Sequence, residues 1–294
     1  MRTNPKVGLL GLGLMGSAVA AKLLRGGLEL TVFNRTAAKA KPFVELGARL
    51  ARSPVEAAGG RDVLITLVAN DEALEALACG EQGFLMGLDE AKVLIDMSTL
   101  TPGAIRRTAA AALARGSQML HAPILGGPEA VLSGRATVFV GGPEPVYKRV
   151  RSVLEAISEP VHYVGDLTSG TLTKMSTNVM LTHLLMGTIS SLALAKRAGL
   201  DQMLVLETLS RIAGVNIERI GRRMIEGERK RTFSIRNLVK DQHYFYDTAA
   251  ELGIDLPTIS AARDYFIRAA DRGLGEEDFT ALYSFMLGEA EEGQ

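Results

Sequence analysis

Along the first half of the chain, short apolar runs alternate with segments whose apolar residues recur at helical spacing. Val7–Leu10 is one such run and ends in a glycine cluster; Ala18, Val19, Ala21, Leu23 and Leu24 then suit a helix packed on a sheet. The run 28–33 leads into Asn34-Arg35-Thr36 and an Ala/Lys-rich helical stretch that closes near Gly47. The same rhythm predicts strands at 62–68, 92–96, 118–122, 137–141 and 161–164, with helices around 72–77 and over 102–115. Strands alternating with helices predict an α/β fold with a doubly wound parallel sheet of the Rossmann type.

After Gly165 the pattern changes. From about residue 168 onward no period-2 strand is found, only long helical patterns broken at Gly199, Gly214, Gly253 with Pro257, and 273–275. The chain is therefore expected to hold a Rossmann-type domain over 1–165 and an all-α domain over 166–294. Taken as one helix, 168–197 would be roughly 45 Å long, enough to run across both domains. Residues 175–195 carry no formal charge and reach bilayer length. Yet Ser176, Thr177, Asn178, Thr182, His183, Thr188, Ser190 and Ser191 would all need partners in hydrocarbon, so a helix buried between protein layers is predicted instead.

Composition narrows the function classes. The 294 residues exceed one average domain, and 33 basic against 33 acidic residues give no basic field for nucleic acid and no acidic tail. The single cysteine, Cys79, forms no intramolecular disulfide, and without a Cys/His cluster no metal site is expected. A reducing, cytoplasmic setting follows. The N-terminus runs straight into the first strand, and the glycines after it break any signal-peptide reading.

Gly11-Leu12-Gly13-Leu14-Met15-Gly16 has G-x-G-x-x-G spacing between a predicted strand and a predicted helix. Gly11 permits the tight turn, Gly13 lets the backbone approach a pyrophosphate, and Gly16 lets helix and strand pack closely. Val68, Ala69 and Asn70, where the strand at 62–68 ends, are expected to line the same nucleotide. An NAD site usually ends its second strand with an acid for the ribose. Here that strand ends in Asn34, Arg35 and Thr36: Arg35 suits a 2′-phosphate, and Asn34 and Thr36 add neutral hydrogen bonds. NADP is thereby favoured over NAD, the alternative being a solvated Arg35 beside an NAD site served by Asn34.

Lys174 and Asn178 lie one helical turn apart on a common face. A lysine at a helix start is often a surface residue. Burial among Leu172, Met175, Val179 and Met180 would instead bring its amine down from about 10.4 toward a working proton-transfer range.

Gly-Leu-Gly-Leu-Met-Gly at 11–16, Asp-Met-Ser-Thr with Pro102 at 96–102, Ala-Pro-Ile-Leu-Gly-Gly at 122–127, Gly-x-x-x-Lys-x-x-x-Asn at 170–178, and Phe233 followed by Leu238-Val-Lys-Asp241 occur in that order. With these motifs the chain resembles the β-hydroxyacid dehydrogenase family, to which 3-hydroxyisobutyrate dehydrogenase belongs. The resemblance implies a Rossmann domain, a 6-phosphogluconate dehydrogenase-like helical domain, and homodimers or homotetramers built through the latter. It implies Lys174 as general acid/base and Asn178 as the amide that helps hold substrate and lysine. Ser98, Thr99, Gly126 and Gly127, with Leu125 beside them, correspond to the cradle for a substrate carboxylate. The resemblance also implies that Thr99 borders the nicotinamide, that Lys240 corresponds to a cofactor-side lysine of the helical domain, and that Phe233 and Asp241 correspond to a cleft wall and its polar anchor. Read without the family, Ser98 and Thr99 could cap the helix after Pro102, and Lys240 with Asp241 could be a solvated pair.

The activity implied is NADP(H)-dependent hydride transfer to or from a short β-hydroxyacid, or a semialdehyde or oxoacid such as glyoxylate or succinic semialdehyde. Three departures bear on the substrate: His121 stands where the family usually has an acid, Leu125 where it has serine, and Thr177 where it has asparagine. His121 is expected to be a satisfied strand-end residue, and Pro128 to reshape the loop after Gly127. Two alternatives remain. One is an imine reductase, a class that commonly has aspartate or tyrosine where this chain has Lys174; the other is an inactive nucleotide-binding regulatory protein.

Overall fold

In the computed structural model, residues 5–213, 217–228 and 230–289 are described. The helix break expected at Gly214 lies outside them. The chain divides into two compact units, Met1–Lys174 and Met175–Gln294.

The first unit holds a sheet built from β1 (Val7–Leu10), β2 (Leu30–Phe33), β3 (Arg49–Leu50), β4 (Val63–Thr66), β5 (Val93–Asp96), β6 (Gln118–His121), β7 (Ile124–Leu125), β8 (Thr137–Gly141) and β9 (Val161–Gly165). Its helices are α1 (Leu14–Arg25), α2 (Lys41–Glu45), α3 (Pro54–Ala58), α4 (Asp71–Ala78), α5 (Pro102–Leu113), α6 (Pro128–Leu132) and α7 (Glu144–Ile157). Helix α8 (Ser169–Arg197) contains the boundary between the units. Strand order is β3-β2-β1-β4-β5-β6-β8-β7, with β9 paired to β8.

Alternate residues of the central strands feed opposite faces. Leu9, Ile65 and Ile95 join one core cluster with Val19 and Leu23 of α1, while Leu10, Leu64 and Leu94 join another with Leu74 of α4 and Ile105 of α5. Both faces are thus covered, which is why these strands read as unbroken apolar runs. The sheet is not wholly parallel as expected: β8 runs antiparallel to β6 and β7. The structure also adds β3, α3, α6, β7 and α7 to the expected elements.

The second unit is helical, with α9 (Gln202–Ala213), α10 (Ile217–Glu226), α11 (Ile235–Glu251), α12 (Pro257–Asp271) and α13 (Ala281–Leu287). Its only strand-like feature among the described residues is a bridge between Ser234 and Asp278. Ile189 and Leu192 of α8 pack with Leu206, Phe266 and Leu282 in its core. Within α8 the Thr182 and Thr188 hydroxyls donate to the carbonyls of Asn178 and Leu184, so these two groups are satisfied inside the helix. The helix is not buried along its length as expected: Met180, Leu181 and Leu194 are 60%, 44% and 71% exposed.

Candidate functional site

The carboxyl ends of β1, β4 and β5 carry most of the expected site residues of the first unit. Strand order reverses at β1, which lies between β2 and β4. Open α/β sheets bind ligands in the crevice beyond such a reversal.

Gly11 leaves β1 with φ +101°, and a Cβ there would stand 2.0 Å from the Leu67 carbonyl oxygen. A Cβ on Gly16 would stand 1.9 Å from the Gly11 carbonyl oxygen. At Gly13 a Cβ would meet nothing within 4 Å. The fold itself therefore requires Gly11 and Gly16, whereas Gly13 borders open space at the start of α1. No side chain caps that helix. Unclaimed backbone N–H groups and the positive end of the helix dipole suit a pyrophosphate, so the turn fits the dinucleotide its spacing predicts.

Leu12 is buried and Met15 packs on the core, while Leu14 is 49% exposed. The Leu12 N–H donates to Asn34 Oδ1 at 2.9 Å, and Asn34 Nδ2 donates to the Thr36 carbonyl at 3.0 Å. Asn34 thus staples the end of β2 to the glycine turn. Arg35 and Thr36 are exposed just beyond it, and no carboxylate pairs with Arg35 among the described residues. Beyond β4, Val68 donates its N–H to Ser98 Oγ at 2.9 Å, Ala69 is exposed, and Asn70 caps α4 by accepting from Ala73 N at 3.0 Å.

The turn after β5 is tied on several sides. Ser98 is 2% exposed; its N–H and hydroxyl donate to Asp96 at 2.9 and 3.1 Å. Both Ser98 donors are therefore engaged inside the protein, and its side chain acts as a strut rather than as an open anion ligand. Thr99 is half-buried and accepts from Lys174 Nζ at 2.8 Å. Thr171 Oγ1 donates to the Leu100 carbonyl at 3.1 Å, which ties the first turn of α8 to the same loop. The cap of α5 is Thr101, not Ser98 or Thr99: it accepts from Ala104 N at 3.2 Å and donates to Asp71 at 2.5 Å.

Lys174 is half-buried, with Met175 buried beside it and Leu172 and Val179 partly covered. Met180, expected to complete that apolar company, is 60% exposed instead. Leu125 is half-buried in β7, and Gly126 and Gly127 are exposed after it, Gly126 at φ +121°. Gly127 is the N-cap of α6 and Pro128 its first residue, a position where a missing N–H removes no helix bond. The expected disturbance from Pro128 is thereby absorbed.

In the second unit Asn178 is half-buried, and Gln242 Nε2 donates at 3.0 Å to the Thr182 hydroxyl that bonds the Asn178 carbonyl. Phe233 is half-buried, and its N–H donates to Asp278 at 3.2 Å. Lys240 pairs with Asp241 at 2.9 Å and lies 4.9 Å from the Tyr244 ring centroid. Asp241 is 5% exposed, so this is not the solvated pair that the residues alone allowed.

Sequence reasoning gave no role to Asp96, Thr66, Asp71, Thr171 or Asp278. Asp96 and Thr66 carried a usable signal, since each is a polar residue ending an otherwise apolar strand. His121 departs from expectation. It is fully buried, and neither ring nitrogen has a hydrogen-bond partner among the described residues.

Residues 6–165 match the family described as the NAD binding domain of 6-phosphogluconate dehydrogenase, and 168–286 the family described as NAD-binding of NADP-dependent 3-hydroxyisobutyrate dehydrogenase. The oxidoreductase YfjR of Bacillus subtilis is 31% identical over 280 residues, covering 94% of this chain and 98% of the relative. The crystal structure of 3-hydroxyisobutyrate dehydrogenase from Salmonella typhimurium is 27% identical, with a TM-score of 0.87 over 96% of this chain and 100% of that one. A reductive aminase from Aspergillus terreus, in complex with NADPH and ethyl levulinate, is 26% identical, with a TM-score of 0.65 over 97% of this chain and 100% of that one.

Proposed function

Because the chain belongs to the β-hydroxyacid dehydrogenase family of NAD(P)-dependent oxidoreductases, we propose that it interconverts a short β-hydroxyacid and its semialdehyde or oxoacid, with Lys174 as proton carrier and NADP(H) as preferred cofactor. The observation that carries the reading is the 2.8 Å hydrogen bond from Lys174 Nζ to Thr99 Oγ1 at the carboxyl edge of the sheet. That bond fixes an amine on the side of the sheet to which the glycine turn also belongs. When bound, the nicotinamide accepts or supplies the hydride. Lys174 does the complementary work: as a neutral amine it takes the hydroxyl proton during oxidation, and as an ammonium it protonates the carbonyl oxygen during reduction. Thr99 orients it. Gly126 and Gly127 let backbone N–H groups approach a carboxylate, which is why the substrate proposed is an acid.

Exposed Arg35 at the end of β2 supports the phosphate-bearing cofactor, since a guanidinium fork matches a 2′-phosphate. A homo-oligomer built through the helical unit belongs to the same proposal, supported by Leu194, Leu204 and Ile212, which are 71%, 62% and 79% exposed.

The deciding experiment converts Lys174 to Ala. Turnover should fall by about a hundredfold to ten-thousandfold while NADPH binding holds. Turnover equal to the parent refutes the assignment. A second reading, reduction of imines, is favoured by apolar Leu125 and by the likeness to the reductive aminase. It is supported if cyclic imines oxidise NADPH and oxoacids and semialdehydes do not.

A further inference from the structure

Three buried polar side chains that the proposed chemistry leaves unused stand in one row. Thr66, Asp96 and His121 are the last residues of β4, β5 and β6, and the ladders pair Thr66 with Asp96 and Asp96 with His121. Residues paired in this way point to the same face of a sheet. All three are 0% exposed. Two residues earlier in the same strands stand Leu64, Leu94 and Met119, which share one apolar cluster. The row therefore closes an apolar layer with polar atoms, and burying polar atoms costs stability unless each finds a partner.

Asp96 has its partners. Oδ2 accepts from Thr66 Oγ1 at 2.5 Å and from Ser98 Oγ at 3.1 Å, and Oδ1 accepts from Ser98 N at 2.9 Å. His121 completes the row less fully: its Nδ1 lies 3.4 Å from Asp96 Oδ1, within ion-pair range but without a hydrogen bond. A buried group so placed calls for an explanation beyond packing.

What the row holds supplies one. Ser98, clamped by Asp96, accepts from Val68 N at 2.9 Å and so bridges the turns after β4 and β5. The next residue, Thr99, accepts a hydrogen bond from Lys174 Nζ. We infer that Thr66, Asp96 and His121 are positioning residues for the Ser98–Thr99 turn and, through Thr99, for Lys174. They govern turnover without touching substrate or cofactor. Thr66 and the Ser98 N–H set the carboxylate's height and rotation, and the imidazole closes its remaining side, so that the carboxylate cannot swing away from Ser98. The inference rests on the reading of Lys174 as the proton carrier, where a displacement of about 1 Å is enough to cost about a hundredfold in rate.

The test uses the full chain and three variants. His121→Leu removes both ring nitrogens, His121→Gln keeps a polar group in the same place, and Thr66→Val removes one donor to Asp96 with little change of shape. For His121→Leu the expected result is a kcat lower by about tenfold to a hundredfold, with the substrate KM and the NADPH Kd within about threefold of the parent. His121→Gln should recover most of the loss. Thr66→Val should lose kcat in the same pattern but less, and it decides the matter alone if His121→Leu does not fold. A role in stability only would lower the melting temperature and leave kcat per folded molecule unchanged, and that outcome overturns the inference.

In a Lys174→Ala background the row variants should cost nothing further, because they act through the missing amine. If Lys174→Ala itself keeps turnover, the proposed function fails and this inference with it. If Lys174→Ala is inactive while the row variants run at the parent rate, only the row fails.

Discussion

The three glycines of the 11–16 turn make a divided prediction, because the structure gives them different neighbours. In Gly16→Ala the new Cβ would lie 1.9 Å from the Gly11 carbonyl oxygen, against the 3.0 Å below which real Cβ contacts essentially never fall. Backbone must shift by about 1 Å or more, and overpacking of that kind costs about 1–3 kcal/mol. Taking about 2 kcal/mol, a domain of this size should lose about 4–8 °C in melting temperature. Gly13→Ala meets open space at φ −73°, a conformation alanine adopts freely. Its gain of about 0.4–1 kcal/mol from the unfolded chain is offset by alanine's weaker capping, leaving stability within about 1 kcal/mol of the parent. Its effect should instead appear on the cofactor: holding a pyrophosphate away from the helix N-terminus forfeits a charge-assisted hydrogen bond of about 1.5–3 kcal/mol, or about tenfold to a hundredfold in NADPH Kd. Thermal melts and fluorescence titration with NADPH would read both quantities on each variant. A Gly16→Ala protein as stable as the parent, or a Gly13→Ala protein that binds NADPH with undiminished affinity, refutes the division.

Arg35→Ala should weaken NADPH about tenfold to a hundredfold and leave NADH nearly unchanged, as read by calorimetric titration; equal losses count against a 2′-phosphate contact. Asp278 makes a pH prediction: burial pushes its carboxyl up, but hydrogen bonds from Thr232, Thr280 and Phe233 prevail and hold it below the ordinary value of 3.8. Its stabilising contribution is then present above that value and lost as pH falls below it, so acid urea melts should show a loss that Asp278→Asn removes. At neutral pH the same variant removes the Asp278 carboxylate 3.2 Å from Arg223 but leaves Glu228 at 3.5 Å, so the loss should be about 1–3 kcal/mol. Leu125→Ser should raise kcat/KM for small hydroxyacids about threefold to tenfold, the worth of one hydrogen bond, relative to bulkier apolar acids. A uniform change across an acid series would remove Leu125 from the specificity argument.

Much of the architecture was legible because its determinants are local. Val7–Leu10 matched its expected bounds, and α8 begins one residue from where the pattern placed it. The direction of β8 was not legible in this sense. An apolar run such as Thr137–Gly141 reads alike in either orientation, and its reversal depends on the short return through α6. Helix α7 is a different case. Val146, Val150, Val153 and Ile157 are buried at spacings of three and four, so its periodicity was present, though Lys148, Arg149 and Arg151 interrupt the apolar letters.

The site divides along the same line. The glycine turn and the Lys174–Asn178 pair are set by covalent spacing within one loop or one helix turn, and so they show in the letters. Met180 follows Lys174 by six residues, which at about 100° per residue carries it well round the helix, so its exposure was derivable from the same periodicity that paired Lys174 with Asn178. The polar row is another matter. Thr66, Asp96 and His121 come together only through the register of three strands joined by long crossovers, and no spacing in the chain announces that register. Ser98 and Thr99 show the consequence most sharply. Neighbours in a turn project in different directions, so Ser98 is drawn into the sheet by Asp96 while Thr99 is left to meet Lys174. A motif that treats the two as one cradle hides a division of labour: one side chain sets the height of the turn, and the other uses it.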